Sequence, residues 1–241
     1  MPVSDSVRRD LAPHGVLRAA LNHGNRVLVN RDANGDAFGI TVDIARALAD
    51  EIGLELTLID HERAIDVSST AGDDLWDICF LAVDPKRAET IAFTHPYIRI
   101  EGCFLVAQGV GITDPDALVA ADVAISSVEG SAYTLHLARQ PVSDKLVIFP
   151  DFQSALAAMD AGQVAAIAGV RQPLLHEAEK RPGSRVLDPP FMEILQAMGT
   201  PASRSEAAVF LKTFITDLTR SGRVGQILER HGVSAECADI F

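Results

Sequence analysis

The chain has 241 residues, 48% of them apolar and 22% charged, with 17 glycines and 12 prolines. That composition is globular and fits one large domain or two of about 100–150 residues each. No apolar run approaches the ~18 residues a membrane span requires, so no membrane insertion is expected. Lys and Arg total 21 against 33 Asp and Glu, a net charge of −12, and a field of that sign repels nucleic acid and anionic lipid.

The N-terminal stretch, Met1 to Gly15, shows no apolar core followed by a small-residue cleavage site. The cysteines are Cys79, Cys103 and Cys237, odd in number and scattered, so neither a disulfide framework nor a CxxC motif is present. Both features predict a cytoplasmic protein for the sequence as it stands, and a periplasmic one if a leader has been removed. Cys79 lies in the apolar run Ile78 to Ala82 and reads as a buried structural thiol.

In chain order, Val16 to Leu21 and Val27 to Asn30 read as short strands, and Asn34 with Gly35 supplies a tight turn. Val42, Ala45, Leu48 and Ile52 form a helical stripe that Gly53 stops. Leu54 to Ile59 is β-rich, and the continuous apolar run from Trp76 to Val83 suits a strand buried on both faces of a parallel sheet. Strands over 103–107, 122–127, 146–149 and 164–168 alternate with helices over 131–139 and 152–161, and further helices cover 204–220 and 223–231. Such alternation predicts an α/β architecture. No Pro/Gly-rich linker separates two domains, so strands are expected to connect them.

Several segments carry a family resemblance. Leu17 to Leu21, the turn at Asn34 and Gly35, and Gly39-Ile40-Thr41-Val42-Asp43-Ile44-Ala45-Arg46-Ala47-Leu48 follow one another in order. Then come Trp76-Asp77-Ile78, Asp84-Pro85-Lys86-Arg87-Ala88-Glu89 and Phe93-Thr94-His95-Pro96-Tyr97, and later Gly130-Ser131 and Ala155 to Gly162. Over residues 15–233 this pattern resembles the family 3 solute-binding proteins, the periplasmic binding protein type II fold of polar amino acid uptake systems. The resemblance implies a two-lobe α/β clamp, joined by two crossing strands, that closes on a ligand held in the cleft. Lobe 1 is expected over 1–104 plus 195–241 and lobe 2 over 105–194, with crossings near Gly102–Val106 and Phe191–Gln196.

The resemblance also implies ligand contacts. Arg87 matches the arginine that holds the ligand's carboxylate, and a guanidinium offers a planar fork to two carboxylate oxygens. Ser131 is expected to supply a hydroxyl, alone or while capping a helix. Asn22 and Asn25 stand where the family carries a polar residue and an aromatic, so this loop lacks an aromatic shelf. Val170 stands where amino acid binders carry an acid, and Arg171 follows it. Two arginines on one ligand favour an amine-free organic acid over an amino acid, because an ammonium there meets no counter-charge. Glu101 is the residue able to reverse that expectation, by restoring an acid or by pairing with Arg99 or Arg171 across the lobes. Gln172 and Gln196 are candidates for polar contacts.

No HExxH, GxSxG or Walker loop is present, and no spacing places three metal ligands on one element. Neither cofactor nor metal is therefore expected, and no catalytic residue is assigned. The expected function is binding of a small-molecule carboxylate by a monomer, with an ABC transporter permease as partner if the protein is exported. The rival is an enzyme on the same fold, a cyclohexadienyl dehydratase-like lyase, in which Glu101 serves as general acid.

Overall fold

The computed structural model describes residues 3–238. The two ends of the expected lobe 1 range, residues 1–2 and 239–241, lie outside them. The chain divides into two compact units, one running to Arg99 and resuming at Leu195, the other formed by Ile100–Ile194.

The first unit opens with helix α1 (Asp5–Leu11), strand β1 (Leu17–Asn22) and a hairpin of β2 (Asn30–Arg31) and β3 (Ala37–Phe38). Helix α2 (Ile40–Ile52), β4 (Leu56–His61), α3 (Ala64–Ser68) and β5 (Ile78–Ala82) follow. β6 (Ile91–Val106) then leads into the second unit. There the order is α4 (Pro115–Ala120), β7 (Ile125–Val128), α5 (Ala132–Leu137), β8 (Leu146–Phe149) and α6 (Phe152–Asp160). β9 (Ala166–Val170), α7 (Arg171–Glu179) and β10 (Arg185–Val186) complete it. β11 (Met192–Pro201) returns to the first unit, which closes with α8 (Ser205–Arg220) and α9 (Arg223–Arg230).

In the first unit β1 runs parallel to β4 and β5, and β11 pairs antiparallel with β5. All five residues of β5 are buried, as a central strand requires. The α2 stripe is buried at Val42, Ala45, Leu48 and Ile52, and Gly53 ends the helix at φ 64°, a left-handed conformation that glycine adopts without strain. Val42, Leu48 and Ile52 each contribute roughly 1.5–3 kcal/mol when fully buried, and Ala45 less. In the second unit β7 runs parallel to β8 and β9, while β6 pairs antiparallel with β9. Cys103, Leu105, Leu156, Met159, Ile167 and Leu174 fill its core.

Three sequence expectations change. The sheets are mixed rather than parallel, because β6 and β11, which pass from one unit to the other, join antiparallel. Of the strand expected over Val27 to Asn30 only Asn30 is in one, as the start of β2: the amides of Leu28 and Val29 both donate to the Asn25 carbonyl, at 3.0 and 3.2 Å. The Asn25 side chain takes the Val27 amide at 3.3 Å, and an asparagine that bonds nearby backbone in this way favours a turn over a ladder. The strand expected at 103–107 begins much earlier, at Ile91.

Candidate functional site

In the first unit the chain leaves β5 through Val83 and turns at Asp84, whose Oδ1 accepts the Lys86 amide at 2.9 Å. This turn delivers Arg87 to the start of a single 3-10 turn, Arg87–Glu89, with only 4% of the residue exposed. Its Nη1 donates to the carbonyl of Ala82 at 2.9 Å, so the guanidinium folds back on the end of β5. Burial lowers the guanidinium's pKa, against the opposing pull of Asp84 and Cys79. Arginine starts so high that it stays charged. Gln196, itself buried, stands opposite Ala82 in the β5–β11 register. The fold thus brings Arg87 and Gln196 to one strand end.

Asn22 closes β1 and Asn25 lies in the loop after it. The Asn22 Oδ1 accepts the Gly24 amide at 3.1 Å, and Asn25 is buried in its own turn. The side-chain oxygens of both residues therefore hold the loop in shape. Next to them His23 bonds Asp60 at 2.7 Å, and Arg31 bonds Asp60 at 2.7 Å and Glu62 at 3.1 Å. Burial raises the Asp60 carboxyl, but His23 and Arg31 outweigh it and leave the pKa lowered.

In the second unit Ser131 is the N-cap of α5. Its Oγ accepts the Thr134 amide at 3.1 Å and donates to Thr134 Oγ1 at 2.8 Å, and Thr134 Oγ1 passes on to the Val128 carbonyl at 2.6 Å. Its hydroxyl proton thus serves the cap.

Arg171 opens α7. Its Nε donates to Glu101 Oε2, and its Nη2 donates to Asp188 Oδ1 at 2.6 Å. The expected surplus of positive charge is absent here: one guanidinium meets two carboxylates. The cause is strand register. Gly102 lies opposite Val170 in the antiparallel β6–β9 pair, so the residue before Gly102 faces the residue after Val170. The pair also forms within one unit, rather than between lobes as expected. Burial lowers the Arg171 pKa, while Asp188 and Glu101 more than offset that and leave it raised. Gln172, in the first turn of α7, is exposed.

Sequence reasoning missed Asp188 and the Asp60–Arg31 pairing. Neither lies in a motif, and Asp188 reaches Arg171 only through the fold. Elsewhere, Ser126 is fully buried and donates to the Ala155 carbonyl at 3.1 Å. Burial pushes the Cys79 thiol up to about 12 and the Cys103 thiol up to about 11. Neither thiol is activated as a nucleophile. Among the described residues no group of three His, Cys, Asp or Glu is placed to hold a metal, and no helix is long and apolar enough to cross a membrane.

The family of bacterial extracellular solute-binding proteins, family 3, matches residues 17–234. The solute receptor for L-cysteine of Neisseria gonorrhoeae is 20% identical with a TM-score of 0.79, over 95% of this chain and 93% of its own. A histidine kinase sensor domain with similarity to periplasmic binding proteins is 15% identical at a TM-score of 0.78, over 90% and 96% of the two chains. An ancestral amino acid-binding protein, a precursor of cyclohexadienyl dehydratase, is 18% identical at 0.75, over 92% and 97%. No curated protein sequence matches the chain. At these identities the structural likeness establishes the fold, the two-lobe α/β architecture of periplasmic binding proteins.

Proposed function

We propose, on the premise that this chain belongs to family 3 of the bacterial extracellular solute-binding proteins, that it binds a small carboxylate-bearing solute and performs no chemistry on it. The observation that carries this reading is Arg87, a guanidinium buried to 4% exposure at a strand end. It stands at the position of the family's carboxylate-holding arginine, and its planar guanidinium fork matches a carboxylate.

The second unit refines the solute's class. Arg171 with Glu101 and Asp188 sums to one negative charge, which supports a solute that carries an amine as well as a carboxylate. The amino acid ligands named for the neighbouring structures agree with this. An enzymatic reading is less well supported, because the Glu101 carboxylate that would act as general acid is engaged by Arg171.

A thermal-shift panel of small carboxylates, half with an α-amino group and half without, tests the reading. A ligand at about 100 times its Kd adds roughly 2.7 kcal/mol, or about 2–4 °C for a chain of this size. Stabilisation by amino acids, lost in Arg87→Ala, is expected. No stabilisation by any member, or a shift that survives in Arg87→Ala, overturns it. Consumption of a stabilising compound on incubation would reinstate the enzyme.

A further inference from the structure

His61 is the last residue of β4 and stands in register opposite Asn22, the last residue of β1. Its carbonyl accepts the His23 amide at 2.9 Å, which ties the loop over 22–26 to the end of β4. Its Nε2 is sealed from solvent and has no hydrogen-bond partner among the described residues. A neutral imidazole tolerates that position with Nε2 as the bare nitrogen. A charged one does not, because both ring nitrogens then carry protons that need acceptors.

We propose that His61 is a pH-sensitive latch: acidification charges its imidazole and releases the loop over 22–26 from the end of β4.

The charges around the ring support this. Asp66 of α3 faces it but is paired with Arg63 at 2.6 Å. Asp60, on its own strand, is held by His23 and Arg31, both at 2.7 Å, and Glu62 takes Arg31 at 3.1 Å. From β1 comes Asn22, which is uncharged. Helix α2 also packs on β4, but its charged residues, Asp43, Arg46, Asp50 and Glu51, do not bear on the ring. Burial lowers the His61 pKa more than Asp66 and Asp60 raise it. His61 is half-buried and only its Nε2 is sealed, so a local displacement brings an imidazolium Nε2–H to water, and the segment fastened next to it is the loop whose His23 amide donates to the His61 carbonyl. Because that loop carries Asn22 and Asn25, solute affinity falls as it opens; this last step rests on the binding function proposed above, whereas the latch does not.

Nuclear magnetic resonance on the full chain tests both parts, from about pH 8 to about pH 5, across the ordinary imidazole range. The His61 ring is expected to titrate below that of a free histidine, and the amides of 22–26 to lose exchange protection with the same midpoint. His61→Phe removes the loss, and His23→Gln retains it. The latch is overturned if His61 titrates at or above the free value, or if His61→Phe keeps the acid-induced loss. Should His61→Phe not fold, coincidence of the wild-type ring and amide midpoints decides. Repeating the carboxylate panel at both ends of the range separates the two parts: an opened loop with unchanged thermal shifts removes the effect on affinity and leaves the latch standing.

Discussion

Arg87 and Gln196 meet at one residue: the Arg87 guanidinium donates to the Ala82 carbonyl at 2.9 Å, and Gln196 lies directly opposite Ala82 across the sheet. The two are far apart in sequence and share a strand end because β11 returns antiparallel to β5. Arg87→Lys keeps the charge and loses the planar fork. Loss of a charge-assisted hydrogen bond costs about 1.5–3 kcal/mol, so titration calorimetry with a stabilising carboxylate should show affinity reduced roughly 10- to 150-fold. Wild-type circular dichroism in the variant separates this from misfolding.

Glu101→Gln removes one of the two carboxylates on Arg171. Affinity for amine-bearing solutes should fall by about 1 kcal/mol, roughly fivefold, with amine-free acids unaffected or improved. Asp188→Asn should act in the same direction but more weakly, since the Asp188 side chain is 72% exposed against 43% for Glu101. Equal losses for both solute classes would show that the cluster is structural.

Stability of the first unit centres on Asp77, which is fully buried. Arg18 Nη2 reaches its Oδ1 at 2.8 Å and Arg204 Nη1 at 2.6 Å, tying β1 to the start of α8. Asp77→Ala leaves two arginines without their shared partner, a loss of about 3–5 kcal/mol for breaking a buried pair. Urea denaturation should show the midpoint lowered with an unchanged slope.

Arg18, then His14, hold the Asp74 carboxyl down to about 2, from an ordinary 3.8. The folded value lies below the unfolded one, so the contribution to stability is complete above the ordinary value. It is lost as pH falls from about 4 through about 2. Melting temperature against pH should therefore drop less steeply over that window in Asp74→Asn than in the wild type. The difference should shrink in high salt, because the side chain is 55% exposed.

Gly39 precedes α2 at φ 137°, and a Cβ there would stand 2.5 Å from the Leu28 carbonyl oxygen and 2.9 Å from the Val29 Cα. Both are backbone atoms and cannot swing aside. Gly39→Ala should cost on the order of 1–3 kcal/mol, read as a lowered melting temperature. The loss should exceed that of an alanine at Gly35, where φ is also positive but no atom lies within 4 Å.

Much of this fold was legible in the sequence, because its signals are local. The α2 stripe ending at Gly53, the apolar run of β5 and the chain of motifs from Asp77 to Tyr97 each depend on residues a few positions apart. They identify elements, family and Arg87 without reference to the rest of the chain. Tertiary structure alone decided what Arg171 is. Read by position it is a second cation for the solute; in the fold it meets Glu101, 70 residues away, and then Asp188. An antiparallel register sets those pairings, and no pattern within β6, β9 or the loop before Pro189 encodes which residue each will face. The same holds for Asn25, whose neighbours Val27 to Val29 look like a strand until their amides find a closer acceptor. Side-chain chemistry and periodicity are properties of a segment, whereas the charge a site presents is a property of the segments brought together.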